Sequence, residues 1–190
     1  GTAPHVPAVV QELEDRLLLA AEIAIFGNGV EIMDGDSTPS TVDGTIFADT
    51  PLGGTSNLSY TIQNSGDMDL NLGAITLISD SYSGPGSSLD FNFGSTPSMT
   101  VAANGGTDSF SLTFTPSAAG AATITVAVSS DDADESVYDF TVMATGVANT
   151  APTITSSATA SAAENETGTI TTVTATDPDA PAFQNLSYSI

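Results

Sequence analysis

The sequence predicts an all-β chain built round a β-sandwich, and three observations carry this. The stretch Thr107 to Pro116 reads Thr-Asp-Ser-Phe-Ser-Leu-Thr-Phe-Thr-Pro. Phe110, Leu112 and Phe114 fall on one side, with Ser109, Ser111, Thr113 and Thr115 on the other, the period of two of a strand with one face in a core and one in water. Pro116 cannot donate to a ladder and closes it. Second, short alternating segments with turn residues between them recur from about residue 22 to 147, the pattern of a sandwich. Third, no helical pattern separates these segments, which excludes a βαβ arrangement.

In order, strands are expected at 21–26, closed by Gly27-Asn28-Gly29, at 30–33, closed by Asp34-Gly35-Asp36, and at 45–48. Next comes 57–64, with Leu58, Tyr60 and Ile62 inward and Asn64-Ser65-Gly66 as its stop, then 70–79. A loop over 80–88 contains Gly84-Pro85-Gly86, and Tyr82 is its one aromatic residue. Strands at 89–93, 99–102 and 107–115 follow, then 122–129 with Ile124, Val126 and Val128, and 137–144 with Tyr138, Phe140 and Val142. Two acidic loops stand out. Asp34-Gly35-Asp36 with Asp43 reads as an Asp/Gly turn rather than a calcium loop, because the spacing to a closing Glu is missing. Asp131-Asp132-Ala133-Asp134-Glu135 reads as a solvated hairpin tip rather than a cation site.

A chain of 190 residues buries one full core and leaves room for part of a second domain. Hydrophobic content of 40% and mean hydropathy of +0.13 exclude a disordered polyelectrolyte despite the net charge of −22. There are 23 acidic residues and a single basic one, Arg16. Such a surface repels nucleic acid and anionic membranes, so neither is expected as a partner. The acidity reads as a solubilising surface suited to saline surroundings, with divalent-cation binding as the sharper alternative. Ser and Thr make up more than a quarter of the chain and fill the solvent faces of the strands. With no Cys there is no disulfide and no thiol chemistry. No apolar run approaches the ~18 residues that a membrane-spanning helix needs. The first residue is Gly and no apolar signal core follows, so a fragment or processed form is expected.

Residues 1–21 form a separate segment. Pro4, His5 and Pro7 belong to an irregular lead, and from Gln11 onward Leu13, Leu17, Ala20 and Ala21 fall at helical spacing with acids in the first turn. This short helix either caps the sandwich or carries a signal. Leu13-Glu14-Asp15-Arg16-Leu17-Leu18-Leu19-Ala20 resembles the LEPR-XLL motif of very large exported bacterial proteins, with Asp15 where the family has Pro and Ala20 where it has Ser. The resemblance implies a sorting or surface-anchoring role for Leu13, Glu14, Arg16, Leu17, Leu18 and Leu19, and an extracellular or bacterial cell-surface location.

Residues 22–147 resemble the choice-of-anchor-D or Hydin-like (ASH) immunoglobulin-like domains of bacterial surface proteins. The resemblance rests on Tyr60-Thr61-Ile62-Gln63-Asn64-Ser65-Gly66, Leu70-Asn71-Leu72, the Phe110 to Pro116 run, Ser129-Ser130-Asp131-Asp132, Tyr138-Asp139-Phe140 and Gly146. The lead-in from Ile32 to Pro39, with Asp43-Gly44-Thr45, also fits. The resemblance implies an immunoglobulin-like sandwich acting as a structural or interaction module.

Residues 148–152 read as a linker, and 153–190 as the first part of a second β-sandwich, with strands expected at 153–156, 158–162, 169–176 and a last run through Leu186, Tyr188 and Ile190. This part resembles the first half of a bacterial cadherin-like repeat, on Ala163-Glu164-Asn165, Gly168-Thr169, Ala175-Thr176-Asp177-Pro178-Asp179 and Leu186-Ser187-Tyr188-Ser189-Ile190. The resemblance implies calcium ligands at Glu164, Asp177 and Asp179, with Asn149 in the linker matching one further position. Hard oxygens suit Ca2+, which takes six to eight of them. The linker lacks the family's acids, so Ca2+ is expected in a protein with the completed repeat and weakly or not at all in this chain.

Catalysis is not expected. A Ser-His-Asp triad would have to use His5, the only His, and zinc sites lack ligands. A carboxylate pair for glycoside hydrolysis is open on composition, but the chain has no Trp. The reading is a non-catalytic structural or adhesive module of a large exported protein. Its partners would be neighbouring repeats of the same chain, with calcium stiffening the junction to the following repeat. The alternative is a module that binds a carbohydrate or protein ligand, which calls for an exposed aromatic patch.

Overall fold

The computed structural model of the chain describes residues 20–177 apart from 158, 160, 162, 166, 170 and 171. The LEPR-XLL-like motif, Asp179 and the last expected strand lie outside the described residues, as does the expected helix apart from Ala20 and Ala21, which are not helical. The strands are β1 (Ile23–Gly27), β2 (Val30–Ile32), β3 (Thr50–Pro51), β4 (Ser56–Asn64), β5 (Leu70–Ser83), β6 (Phe91–Ser95), β7 (Thr100–Val101), β8 (Gly106–Phe114), β9 (Gly120–Ser130), β10 (Val137–Val147), β11 (Thr153–Ile154) and β12 (Ala175–Thr176).

β1 to β10 form two five-stranded sheets, ordered β2-β1-β4-β8-β6 and β3-β10-β9-β5-β7. This is the immunoglobulin-like arrangement. The first, second, fifth and fourth strands of that fold share one sheet and the third, sixth and seventh the other. β3 lies parallel to the last long strand, β10, pairing Gly146 with Thr50. β11 and β12 pair as a separate two-stranded sheet.

Alternation explains the core. Phe110, Leu112 and Phe114 of β8 are buried against Tyr60 and Ile62 of β4, Ile124, Val126 and Val128 of β9, and Tyr138, Phe140 and Val142 of β10. Phe91 stacks on Phe114 at 4.8 Å between ring centres, and Phe47 meets both rings at about 6 Å. The β1–β2 hairpin turns on Asn28 and Gly29, with φ of 51° and 76°, the left-handed pair that a two-residue turn of this type requires.

Several local expectations change. The strand expected over 70–79 runs on to Ser83, through an irregularity after Ile78 where the Ser81 hydroxyl accepts from Thr125 N at 2.8 Å and replaces a ladder acceptor. Tyr82 is therefore on a strand, half-buried and edge-on to Phe91, not part of an exposed aromatic patch. Residues 88–90 are a turn of 3-10 helix capped reciprocally by Ser87 and Asp90, which leaves Leu89 exposed. Only Ile46 of the 45–48 segment makes a bridge, to Met143. In the second part, β11 and β12 are shorter than expected, and 172–174 carry no strand.

The sandwich has two poles. At the first lie Ala20, the start of β1, the end of β4 at Asn64, and the β9–β10 loop with Asp132. At the second lie Gly120, Gly146 and the 116–118 turn. β10 runs from one to the other. The chain enters at the first pole and leaves β10 at the second, at Val147.

Candidate functional site

The first pole gathers most of the unusual chemistry. Asn64 is fully buried and has all four of its hydrogen-bonding capacities used. Its Oδ1 accepts from Glu22 N and Gly66 N, each at 3.1 Å, and its Nδ2 donates to the carbonyls of Met68 at 2.8 Å and Val101 at 3.1 Å. Asp132, 2% exposed, accepts from Ile23 N at 2.8 Å through Oδ2 and from Asp134 N at 3.3 Å through Oδ1. Ala20 N donates to Asp67 at 3.0 Å. Side chains from the end of β4, the β4–β5 turn and the β9–β10 loop thus hold the chain in place as it enters β1.

These bonds bring Glu22, Asp132 and Asp134 together, with one carboxylate oxygen of each lying within 4.8 Å of the others. Burial, then the charges of Asp132 and Asp134, push the Glu22 carboxyl above its ordinary range. Glu135 is raised by burial and then by Asp132, Asp34, Glu22 and Asp134. Three carboxylates offer oxygens to a hard cation but fall short of a calcium shell. The contacts that Asp132 does make are structural: it pins β1 to the β9–β10 loop.

A pH dependence follows. Raised carboxyl values mean that the folded chain binds these protons more tightly than the unfolded one. The stability they confer is full below about 4.5 and is lost as pH rises through the folded-state values. Asp131 and Asp108 run the other way. Hydrogen bonds from Asn71 and from Ser98 and Ser109, respectively, hold them below 3.8, so their contribution is lost only in stronger acid. The melting temperature is expected to rise from pH 7.5 to pH 5, and Glu22→Gln is expected to raise it at pH 7.5 and flatten the slope, as thermal melts across that range would show.

The residues expected to bind calcium are placed in part. Glu164 is exposed in a turn, Asp177 is half-buried directly after β12, and Asn149 is exposed in the irregular 148–152 stretch. Asp179 lies outside the described residues. Among the described residues, Glu164 and Asp177 join no group of three acidic ligands close enough for one ion. The Asp34–Asp43 region is built of turns: Asp36 accepts from Thr38 N and Oγ1 at 2.8 and 2.6 Å, and Asp43 from Thr45 N and Oγ1 at 3.1 and 2.7 Å. The 131–135 loop differs from the solvated tip expected of it, since Asp132 is buried. Glu22 lies far from Asp132 in sequence, so only the completed fold brings the pair together. A local sign existed in the Ser130-x-Asp132 spacing, where the Ser130 hydroxyl accepts from Asp132 N at 3.2 Å. No helix among the described residues is long and apolar enough to cross a membrane.

No protein-family model matches the sequence, and no curated protein does. Solved structures with a similar fold include the ASH/PapD-like domain 7 of human CEP192. That likeness has a TM-score of 0.47 and 16% identity, over 76% of this chain and 99% of that one. A Porphyromonas gingivalis W83 protein of unknown function is similar at TM-score 0.39 and 15% identity, over 54% of this chain and 48% of that one. The secreted serine protease VesC of Vibrio cholerae is similar at TM-score 0.40 and 13% identity, over 54% of this chain but only 22% of the protease.

Proposed function

We propose that the chain is a non-catalytic structural module of a large exported bacterial protein, in which the sandwich is a rigid spacer between its neighbours. The observation that carries this is the placement of the two ends of the sandwich. The chain is pinned at Ala20 to Ile23 at one pole and leaves β10 at Val147 at the other. A fold whose ends lie at opposite poles adds length to a string of modules. An immunoglobulin-like sandwich fits such a structural or binding role. The resemblance of residues 153–190 to a cadherin-like repeat supports a second element. Glu164, Asp177 and Asp179, with Asn149, would take Ca2+ once that repeat is complete and stiffen the junction over 148–152. The LEPR-XLL-like residues Leu13 to Leu19 would direct the protein to the cell surface.

The calcium element is tested by thermal melts of this chain and of one extended through a complete second repeat, in Ca2+, Mg2+ and chelator. A ligand that binds only the folded state adds about 2.7 kcal/mol at a hundred times its dissociation constant. A calcium-specific rise in the longer chain alone is expected. An absence of shift in both, or the same shift in Mg2+, would overturn it.

A further inference from the structure

We infer that the outer face of the β2-β1-β4-β8-β6 sheet carries a binding site for an uncharged polysaccharide, centred on Phe26. The inference goes beyond the spacer role and does not rest on it. Strand register defines the face. Phe26 stands opposite Thr61, which stands opposite Ser109, and Gln63 stands opposite Thr107. The outward positions of β1, β4 and β8 hold only Ala, Phe, Ser, Thr, Asn and Gln. The one charge that the register places on this face is Glu31 of the edge strand, across from Phe26. In a chain with 23 acidic residues, so broad a neutral surface is set apart from the rest.

One part of the face is concave. A cavity of about 240 Å3, open to solvent, is lined by Phe26, Gly29, Thr61, Gln63 and Thr107. Phe26 is half-buried on the side of β1 away from the core, and its neighbours Ile25 and Gly27 are buried on the other side. Thr61 and Gln63 lie two residues apart on β4, roughly 7 Å along the strand, and Thr107 lies about 5 Å across from Gln63. An aromatic wall and three polar side chains thus converge on one dish.

The polar groups of the dish are unspent. Toward the second pole the same face satisfies itself: the Thr113 hydroxyl donates to Asn57 Oδ1 at 2.7 Å, and the hydroxyls of Ser95 and Ser111 bond at 2.9 Å. The side chains of Thr61, Gln63 and Thr107 make no hydrogen bond among the described residues. Each hydroxyl can donate once and accept twice, and the amide can donate twice and accept twice. A sugar ring matches this set. Its C–H face packs on an aromatic ring, and its hydroxyls pair with hydroxyls and amides. Other ligand classes fit less well. A protein partner needs a large apolar centre, and here Phe26 is the only large apolar side chain. The net charge of −22 repels anionic glycans and nucleic acid.

The test is affinity electrophoresis of the full chain, whose charge carries it through native gels. The gels contain hydroxyethylcellulose, galactomannan or dextran as neutral polymers, alginate as an anionic one, or no polymer. Mobility relative to the polymer-free gel is expected to fall by at least half in one or more of the neutral gels and to stay unchanged in alginate. Phe26→Ala is expected to weaken the retardation at least tenfold in apparent affinity. Thr61→Val with Thr107→Val keeps the ring and the strand-forming shape but removes two hydroxyls at exposed positions, and is expected to weaken it several-fold. Thr141→Val, on the outer face of the other sheet, is expected to change nothing. Free mobility in all three neutral gels would overturn the inference, as would retardation in alginate alone, or retardation that folded Phe26→Ala retains. If Phe26→Ala does not fold, the double valine variant decides in the same way. Failure here leaves the calcium response of the extended chain untouched, so it is distinguishable from failure of the spacer reading.

Discussion

Asn64→Leu is expected to destabilise the chain by about 3 kcal/mol or more, a fall of ~10 °C in melting temperature. Leucine has the same branching and number of side-chain heavy atoms as asparagine but bulkier methyl ends, so the loss of partners is joined by some crowding. Two backbone N–H groups, of Glu22 and Gly66, and two carbonyls, of Met68 and Val101, lose the side chain that satisfies them. Each polar group left buried without a partner costs roughly 1–3 kcal/mol, and the sum is reduced where water reaches in. Asn64→Asp is expected to be nearly as damaging, because it keeps the two accepting contacts and turns the two donating ones into repulsion. Chemical denaturation read by circular dichroism measures both.

Phe140→Ala is expected to cost about 3–5 kcal/mol, the range for removing a fully buried aromatic side chain. The ring is inaccessible to solvent and packs at 5.1 Å on Tyr60, which belongs to the opposite sheet. Tyr60 in turn lies 5.2 Å from Phe110. Removing Phe140 opens a cavity at the point where the two sheets meet, and the paired backbones on either side limit its collapse. Leu89→Ala is the control. That side chain is 79% exposed on the capped turn before β6, and its loss is expected to change stability by no more than about 0.5 kcal/mol. Equilibrium unfolding of the two variants side by side tests the difference.

The strands were legible in the sequence wherever one face meets the core and the other meets water. Phe110, Leu112 and Phe114 alternate with hydroxyls, and each is buried. Ile124, Val126 and Val128, and Tyr138, Phe140 and Val142, follow the same rule. What was not legible is held by contacts between distant residues. Asn64 reads as the stop of a strand, yet its side chain ties β1 to the β4–β5 turn and β7. Asp132 reads as one acid among four in an open loop, and its burial depends on Ile23 arriving beside it. Phe47 is the one large apolar side chain that the segment before β3 sends into the core; its buried neighbours Thr45 and Thr50 are polar, so the sequence shows no apolar alternation there. A strand was expected at 45–48, but only the bridge of Ile46 to Met143 forms there, and the partner, β10, lies nearly a hundred residues further along the chain where local propensity cannot point.

The spacer account stands or falls on the two ends of the sandwich being held rigidly at opposite poles. Spin labels on Ala20→Cys and Ala148→Cys in the full chain measure this by pulsed dipolar spectroscopy. At roughly 3.3 Å per residue along β10, a single narrow distribution centred at roughly 35 Å is expected, the same in Ca2+ and in chelator because both labels flank the one sandwich. A distance under about 20 Å, or a broad distribution that tightens only when Ca2+ is added, would contradict a rigid module with opposed ends.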